Sequence, residues 1–117
     1  ANYVAARVTA ALVVVCAPLV GGSPSGGVRV WRRDAARHPS PNAGVLEAAF
    51  AGALGVRLGG PTQYHYDLQI RPTLGGGPQP TVVDFRRAVL LSRVVQAAAA
   101  VAVALFALVS AVARSGR

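Results

Sequence analysis

Six residues bracket one short apolar run in a way that can support chemistry. His38, Ser40 and Asn42 precede it, Glu47 lies within it, and Arg57 and Tyr64 follow it. Residues 43–56 are otherwise almost entirely Ala, Gly, Val, Leu and Phe. A carboxylate in such a run is unfavourable unless it has a partner or a task. If the run is helical, Glu47 lies about one and a half turns in, where it can face the polar turn holding His38 and Asn42. There it can take a proton from an amine, orient that amine, or hold a hydrated divalent cation. Equally, it can be paired with an arginine and have no chemical role. His38 is likewise either a second catalytic group or a hydrogen-bonding member of the turn. Other familiar chemistries are missing from the sequence. Gly75-Gly76-Gly77 is followed by no Lys-Ser/Thr pair and is no phosphate loop. There is no Gly-x-Ser-x-Gly elbow, and neither His has metal-ligand spacing with the other or with Cys16, so no protein metal site is expected.

The elements that must position these groups follow from the punctuation. Ser40 or Asn42 can cap a helix, and Pro41 is tolerated in its first turn. The pattern predicts a signature helix over 42–58, stopped by Gly59-Gly60-Pro61. Gly44, Ala48 and Gly52 fall four apart, with Gly55 and Gly59 continuing the small side, so another backbone can approach closely. This run is too short to span a bilayer and is expected to be packed, interfacial or re-entrant. Residues 59–81 read as a loop, with at most a weak strand at 66–71. Upstream, residues 1–20 read as a membrane helix at the short limit of a span, with Arg7 either snorkelling or facing a polar site. Residues 21–41 read as a flexible Gly/Ser/Pro linker over 21–27, then a basic segment in which Trp31 sits among Arg29, Arg32, Arg33 and Arg37, either interfacial or a cationic wall for an anionic substrate. Thr81 and Asp84 form a capping-box pattern opening 82–113, an amphipathic start running into a membrane helix. Within 94–113 only Gln96 and Ser110 are polar, and twenty such residues cover about 30 Å, one bilayer. Residues 114–117 form a tail.

Composition agrees. Hydrophobic residues make up 53% of the chain and charged ones 14%, the latter about half the usual soluble share. The fold class expected is an all-α integral membrane protein: two membrane helices flanking a loop region with a short glycine-rich packed helix. The net charge of +8 comes from twelve arginines and no lysine. They are scattered and lack a recognisable nucleic-acid module, so no nucleic acid is expected and membrane lipid with anionic headgroups is the natural partner. The single Cys16 has nothing to pair with and reads as a small buried hydrophobe. A chain without Met that begins with Ala is expected to be a piece of something longer. The arginines between the two apolar segments favour a multi-pass protein of the cell membrane with its central loop in the cytoplasm.

The same residues carry a resemblance. Ser40-Pro41-Asn42-Ala43-Gly44, Glu47-Ala48-Ala49 and the run from Ala51 to Pro61 resemble the signature of the CobD/CbiB family of cobalamin biosynthesis. Asn2-Tyr3-Val4 and Arg7 are similar to that family's preceding helix start, and Arg71-Pro72, Gly75-x-Gly77 and Asp84-x-Arg86-Arg87-Ala88 resemble its downstream elements. The chain departs from the usual pattern at Val45-Leu46 (commonly Trp-Pro), at Ala5 (commonly Pro) and at Gly76 (commonly Asp). The resemblance implies the C-terminal portion of a membrane enzyme, an ATP-dependent amide ligase of the adenosylcobinamide-phosphate synthase type. It would join aminopropanol or its phosphate to cobyric acid, giving cobinamide or its phosphate, with ATP and Mg as cofactors. The missing N-terminal membrane helices would be its partners, and this piece alone is expected to be inactive. Glu47 and His38 would be catalytic, with Arg37, Ser40, Asn42, Arg57, Gly59, Gly60 and Tyr64 binding the corrinoid, the amine or phosphate. The alternative is a non-enzymatic small membrane scaffold, or a regulatory relative of the same family.

Overall fold

The computed structural model describes the backbone of residues 2–63 and 68–116 and the side chains of residues 3–59 and 72–116. In order come α1 (Asn2–Cys16), α2 (Pro24–Asp34), α3 (Pro41–Leu54), β1 (Leu58–Gln63), β2 (Leu68–Leu74) and α4 (Val82–Ser115). Short 3-10 turns at Ala17–Val20 and Ala35–Arg37 extend α1 and α2. The fold is thus mostly helical, but the expected all-α class gives way to a helical protein with one β-hairpin.

The first difference lies at 21–27, expected to be a flexible linker. Ser23 is extended and its hydroxyl accepts from the Gly26 N–H at 3.0 Å, while Pro24 occupies the first turn of α2. That is a complete helix start, and Gly26 and Gly27 lie inside the helix because another backbone presses on them. A side chain at Gly26 would meet the Gly52 carbonyl, and one at Gly52 would meet the Gly26 carbonyl. The helices α2 and α3 therefore cross at a Gly–Gly contact, a close approach that small residues permit. The small face of α3 is used along its length: Gly44 abuts the Ala35 carbonyl and Ala48 is buried with Val30.

Ser40, not Asn42, caps α3, accepting from the Ala43 N–H at 3.3 Å, with Pro41 at the first helical position. The helix ends earlier than the 42–58 expected. Gly55 adopts φ +71 and donates to the Ala51 carbonyl, which closes the helix at Leu54, because a left-handed residue at that point is available to glycine at little cost. Gly59-Gly60-Pro61 then belongs to β1 and stops nothing. β1 and β2 pair antiparallel, with Leu58 opposite Leu74 and Gly60 opposite Arg71, and the register slips between Leu58 and Gly60 where Gly59 takes φ +79. This is a bulge of the kind a glycine permits. The weak strand expected at 66–71 is real but sits at Leu68–Leu74, where Leu68, Ile70 and Leu74 alternate with Gln69, Arg71 and Thr73.

The core is built from small side chains: Ala10, Val13, Val14 and Ala17 of the first segment, Val45, Ala49, Ala53 and Leu54 of α3, and Leu91 and Val95 of α4, with Cys16 buried among them. Arg87 ties the ends together, donating to the carbonyls of Val20, Gly21 and Leu54 and pairing with Asp84 at 3.2 Å. The capping box opens α4 as expected, with the Thr81 hydroxyl accepting from the Asp84 N–H and the Thr81 N–H donating to the Asp84 carboxylate. Beyond Val95 the helix leaves the bundle, which gives a protein 64 Å long and under 30 Å wide.

Two helices are long and apolar enough to cross a membrane: Tyr3–Val20, with mean hydropathy 2.0 and a third of it buried, and Val82–Ser115, with mean hydropathy 2.3 and 6% of its apolar window buried. The first is packed along one side against the bundle, whereas the second has no protein against most of its length. Arg7 neither simply snorkels nor stands alone. It lies over the Tyr3 ring and donates to the Tyr3 carbonyl and the Asn42 side chain.

Candidate functional site

His38 and Glu47, the two candidate catalytic residues, meet across the turn that starts α3. The His38 Nε2 stands 3.0 Å from Glu47 Oε2. The Ser40 N–H donates to His38 Nδ1 at 2.9 Å. A nitrogen that accepts carries no proton, so this contact places the imidazole proton on Nε2, where it is donated to the carboxylate. The local sequence makes this geometry: the 3-10 turn ends at Arg37, His38 is extended, and Ser40 caps α3 with its hydroxyl while its N–H fixes the ring. His38 is three-quarters buried and Glu47 half exposed, so the pair opens on one side.

It opens into a cavity of about 300 Å³ bounded by His38, Pro39, Glu47, Leu58, Gly59, Pro72 and Leu74. α3 supplies the carboxylate, the preceding turn the imidazole, and the hairpin the opposite wall. Gly59, expected at the site, lines it. A second, apolar groove of about 360 Å³ runs between α3 and the start of α4, past Phe50, Leu54, Phe85 and Ala88, and shares Glu47 and Leu58 with the first. Glu47 thus stands on the ridge between a pocket of mixed lining and an apolar one.

The other expected residues divide. Ser40 contributes through its backbone N–H and its cap, and its hydroxyl is taken by Ala43. Asn42 accepts from Arg7 and serves the packing of α1 on α3. Arg57 is exposed and away from the cavity, its N–H donating to the Pro78 carbonyl. Arg37 does not line the cavity; it donates to the Thr73 carbonyl at 3.5 Å and stands 3.6 Å from Asp34. Gly60 lies in β1, paired with Arg71. Tyr64 lies outside the described residues.

Asp34 is the residue that sequence reasoning passed over. It is fully buried. Its carboxylate accepts from Arg33 Nε and Nη2 at 2.9 Å each and from the Gly75 N–H at 2.8 Å. The Arg33 hydrogen bonds hold it below the usual carboxylate range, helped by the Gly75 N–H and the charges of Arg33 and Arg37, while burial opposes them. Gly75 has φ +89 and packs against the Val56 carbonyl. Asp34 therefore pins the end of β2, and with it Leu74 in the cavity wall, to α2. The available signal was one acid inside Trp-Arg-Arg-Asp-Ala-Ala-Arg: a carboxylate among three arginines is a natural charge clamp.

Among the described residues no three His, Cys, Asp or Glu side chains converge on a point that could hold a metal. The class defined is a helical protein with two candidate membrane helices and a His–Glu pair at the mouth of a glycine-packed helix. The chain belongs to the CobD/Cbib protein family, whose pattern it matches over residues 1–92. It is 79% identical over 101 residues to the cobalamin biosynthesis protein CobD of Mycobacterium tuberculosis (strain ATCC 25618 / H37Rv), covering 86% of this chain and 32% of that protein. Against the proteins of the same name from Chromobacterium violaceum and Pelobacter propionicus it is 48% identical over 90 residues and 47% over 74. These alignments cover 77% and 63% of this chain and 27% and 23% of the relatives. The chain thus spans at most about a third of the curated relatives it matches. No solved structure matches it.

Proposed function

We propose that this chain forms part of a membrane enzyme of cobalamin biosynthesis that joins an amine, aminopropanol or its phosphate, to a carboxylate of a corrinoid. The observation that carries the proposal is the His38–Glu47 pair at 3.0 Å, oriented by the Ser40 N–H and facing a cavity inside the family-matched region. Amide formation from a carboxylate and an amine is uphill in water, and ATP supplies the activation when bound. The chain's own task is proton and position. Glu47 is placed to orient an incoming ammonium group and take its proton, so that the free amine can attack the activated carbonyl and expel the activating group, and His38, donating from Nε2, keeps the carboxylate aimed. The apolar groove beside Glu47 suits the broad face of a corrinoid. With one carboxylate at the cavity, a Mg²⁺ ion would be held chiefly by nucleotide phosphates, as is common for this ion.

In the full-length protein, Glu47→Gln and His38→Ala are expected to lower cobinamide formation by about 10²-fold or more, the usual loss for a positioned acid–base group, with the membrane level of the protein unchanged. Full activity of Glu47→Gln would assign that residue to structure and make the pair a structural tie.

A further inference from the structure

We infer that the cleft between α2 and the turn at 75–77 is a second site, one that binds a phosphate-bearing anion. It lies apart from the His38–Glu47 cavity and shares no residue with it. Its volume is about 390 Å³, with Arg29 and Arg33 on one side, Gly76 and Gly77 on the other, and the end of α3 as its floor.

Three features make it an anion site. Arg29 and Arg33 are four residues apart on α2 and so project from one face. Arg33 is already oriented: its Nε and Nη2 are spent on the buried Asp34, which leaves Nη1 and half of the side chain open. A guanidinium fixed in this way loses little freedom on binding a second oxyanion. Second, Gly76 leaves the guanidinium uncovered. A methyl group there would sit 3.6 Å from Arg33 Nη2 and 3.9 Å from Nη1 and meet no other residue, so the space beside the arginine is empty of other side chains. Third, the Ala51 carbonyl, which lines the cleft and would otherwise repel an anion, is taken up by the N–H groups of Gly55 and Val56. None of the three described carboxylates pairs with Arg29, and Arg32 extends the positive face along an open groove shared with Arg29 and Arg33.

The chemistry recognised is a phosphate or diphosphate oxyanion, carried either by a soluble nucleotide or by a lipid headgroup. The assignment stands on the cleft alone and holds whether or not amide formation occurs. It is tested by calorimetric titration of inorganic pyrophosphate into the full-length protein in neutral-lipid nanodiscs. Binding is expected, weakened at least about tenfold by Arg29→Ala, the loss of one charge-assisted contact. Gly76→Asp, which sets a carboxylate against Arg33, should weaken it as much, and Arg29→Lys should retain part of it. Arg114→Ala, the same charge change at the far end of α4, and His38→Ala should leave it unchanged. Because Arg29 and Gly76 are outside the core, these variants are expected to keep the wild-type melting temperature. Absence of pyrophosphate binding, or equal binding by Arg29→Ala and Gly76→Asp, would overturn the assignment. Repeating the titration in phosphatidylglycerol nanodiscs separates the sources: suppressed binding identifies the headgroup as occupant, and unchanged binding a soluble phosphate.

Discussion

At the scale of single residues, the chain spends its few acids carefully. Glu47 faces a cavity and Asp34 faces none, though both are paired with a cationic or imidazole partner. The difference lies in burial: Asp34 is sealed and accepts three short hydrogen bonds, whereas Glu47 is half open. Asp34→Asn should therefore cost stability, by about 2–3 kcal/mol for hydrogen bonds to a charged group, with the Arg33 part reduced by its exposure to solvent. Because the folded carboxylate titrates below its ordinary value, its contribution is complete above the unfolded pKa of about 4 and is lost as pH falls through the folded one. Thermal unfolding in detergent should show wild type well above Asp34→Asn at pH 7, with the gap closing below about pH 4. A gap independent of pH would mean that shape, not charge, holds the β2 end.

At the scale of elements, small residues decide what touches what, and this was partly legible. The Gly44–Ala48–Gly52 face was readable because a fourfold spacing of small residues has one physical meaning, and it does receive a backbone. Its partner was hidden, because Gly26 and Gly27 look like linker glycines until Ser23 and Pro24 are recognised as a cap and first turn. The hairpin was obscured for the opposite reason: Gly59-Gly60-Pro61 resembles a helix stop, yet Gly55 had already ended the helix. The proximity of His38 to Glu47 was legible from the turn, while the Asp34 clamp on Gly75 joins positions forty-one apart in sequence and no local pattern announces it. Substitution separates the roles of the glycines. Gly52→Ala must displace the Gly26 backbone or Val30, and overpacking of this kind costs about 1–3 kcal/mol. Gly76→Ala meets only the end of Arg33 and should be neutral. Melting temperatures of the two variants should differ by several degrees in that order, and equal values would show that α2 and α3 are not in contact at Gly26.

At the scale of the whole molecule, the determining feature is that α4 continues far past its last buried residue. Val101, Val103, Leu105, Phe106, Leu108, Val109 and Val112 are all more than half exposed and lie on every side of the helix. In water such a surface is unfavourable; within a bilayer it needs no partner, and 94–113 has the length of one span, about 30 Å. Two polar groups near it are satisfied internally, Gln96 donating to Ser92 and Ser115 to the Ala111 carbonyl, as suits hydrocarbon. α1 is less suited to lipid, since a third of its apolar window is spent on the bundle. The arginines lie unevenly about these helices. Arg29, Arg32, Arg33, Arg37, Arg86 and Arg87 sit between the apolar segments, against Arg114 and Arg117 beyond them, so the His38–Glu47 cavity and the phosphate cleft are expected on the cytoplasmic side, where nucleotide is available. Single cysteines placed through 97–110 of the full-length protein, with Cys16 replaced, should resist a water-soluble maleimide in intact membranes and react once detergent is added. An alkaline phosphatase fusion at Gly76 should be inactive and one after Arg117 active. Free labelling across 97–110 would remove α4 from the membrane, and an inverted fusion pattern would place both sites on the face that nucleotide does not reach.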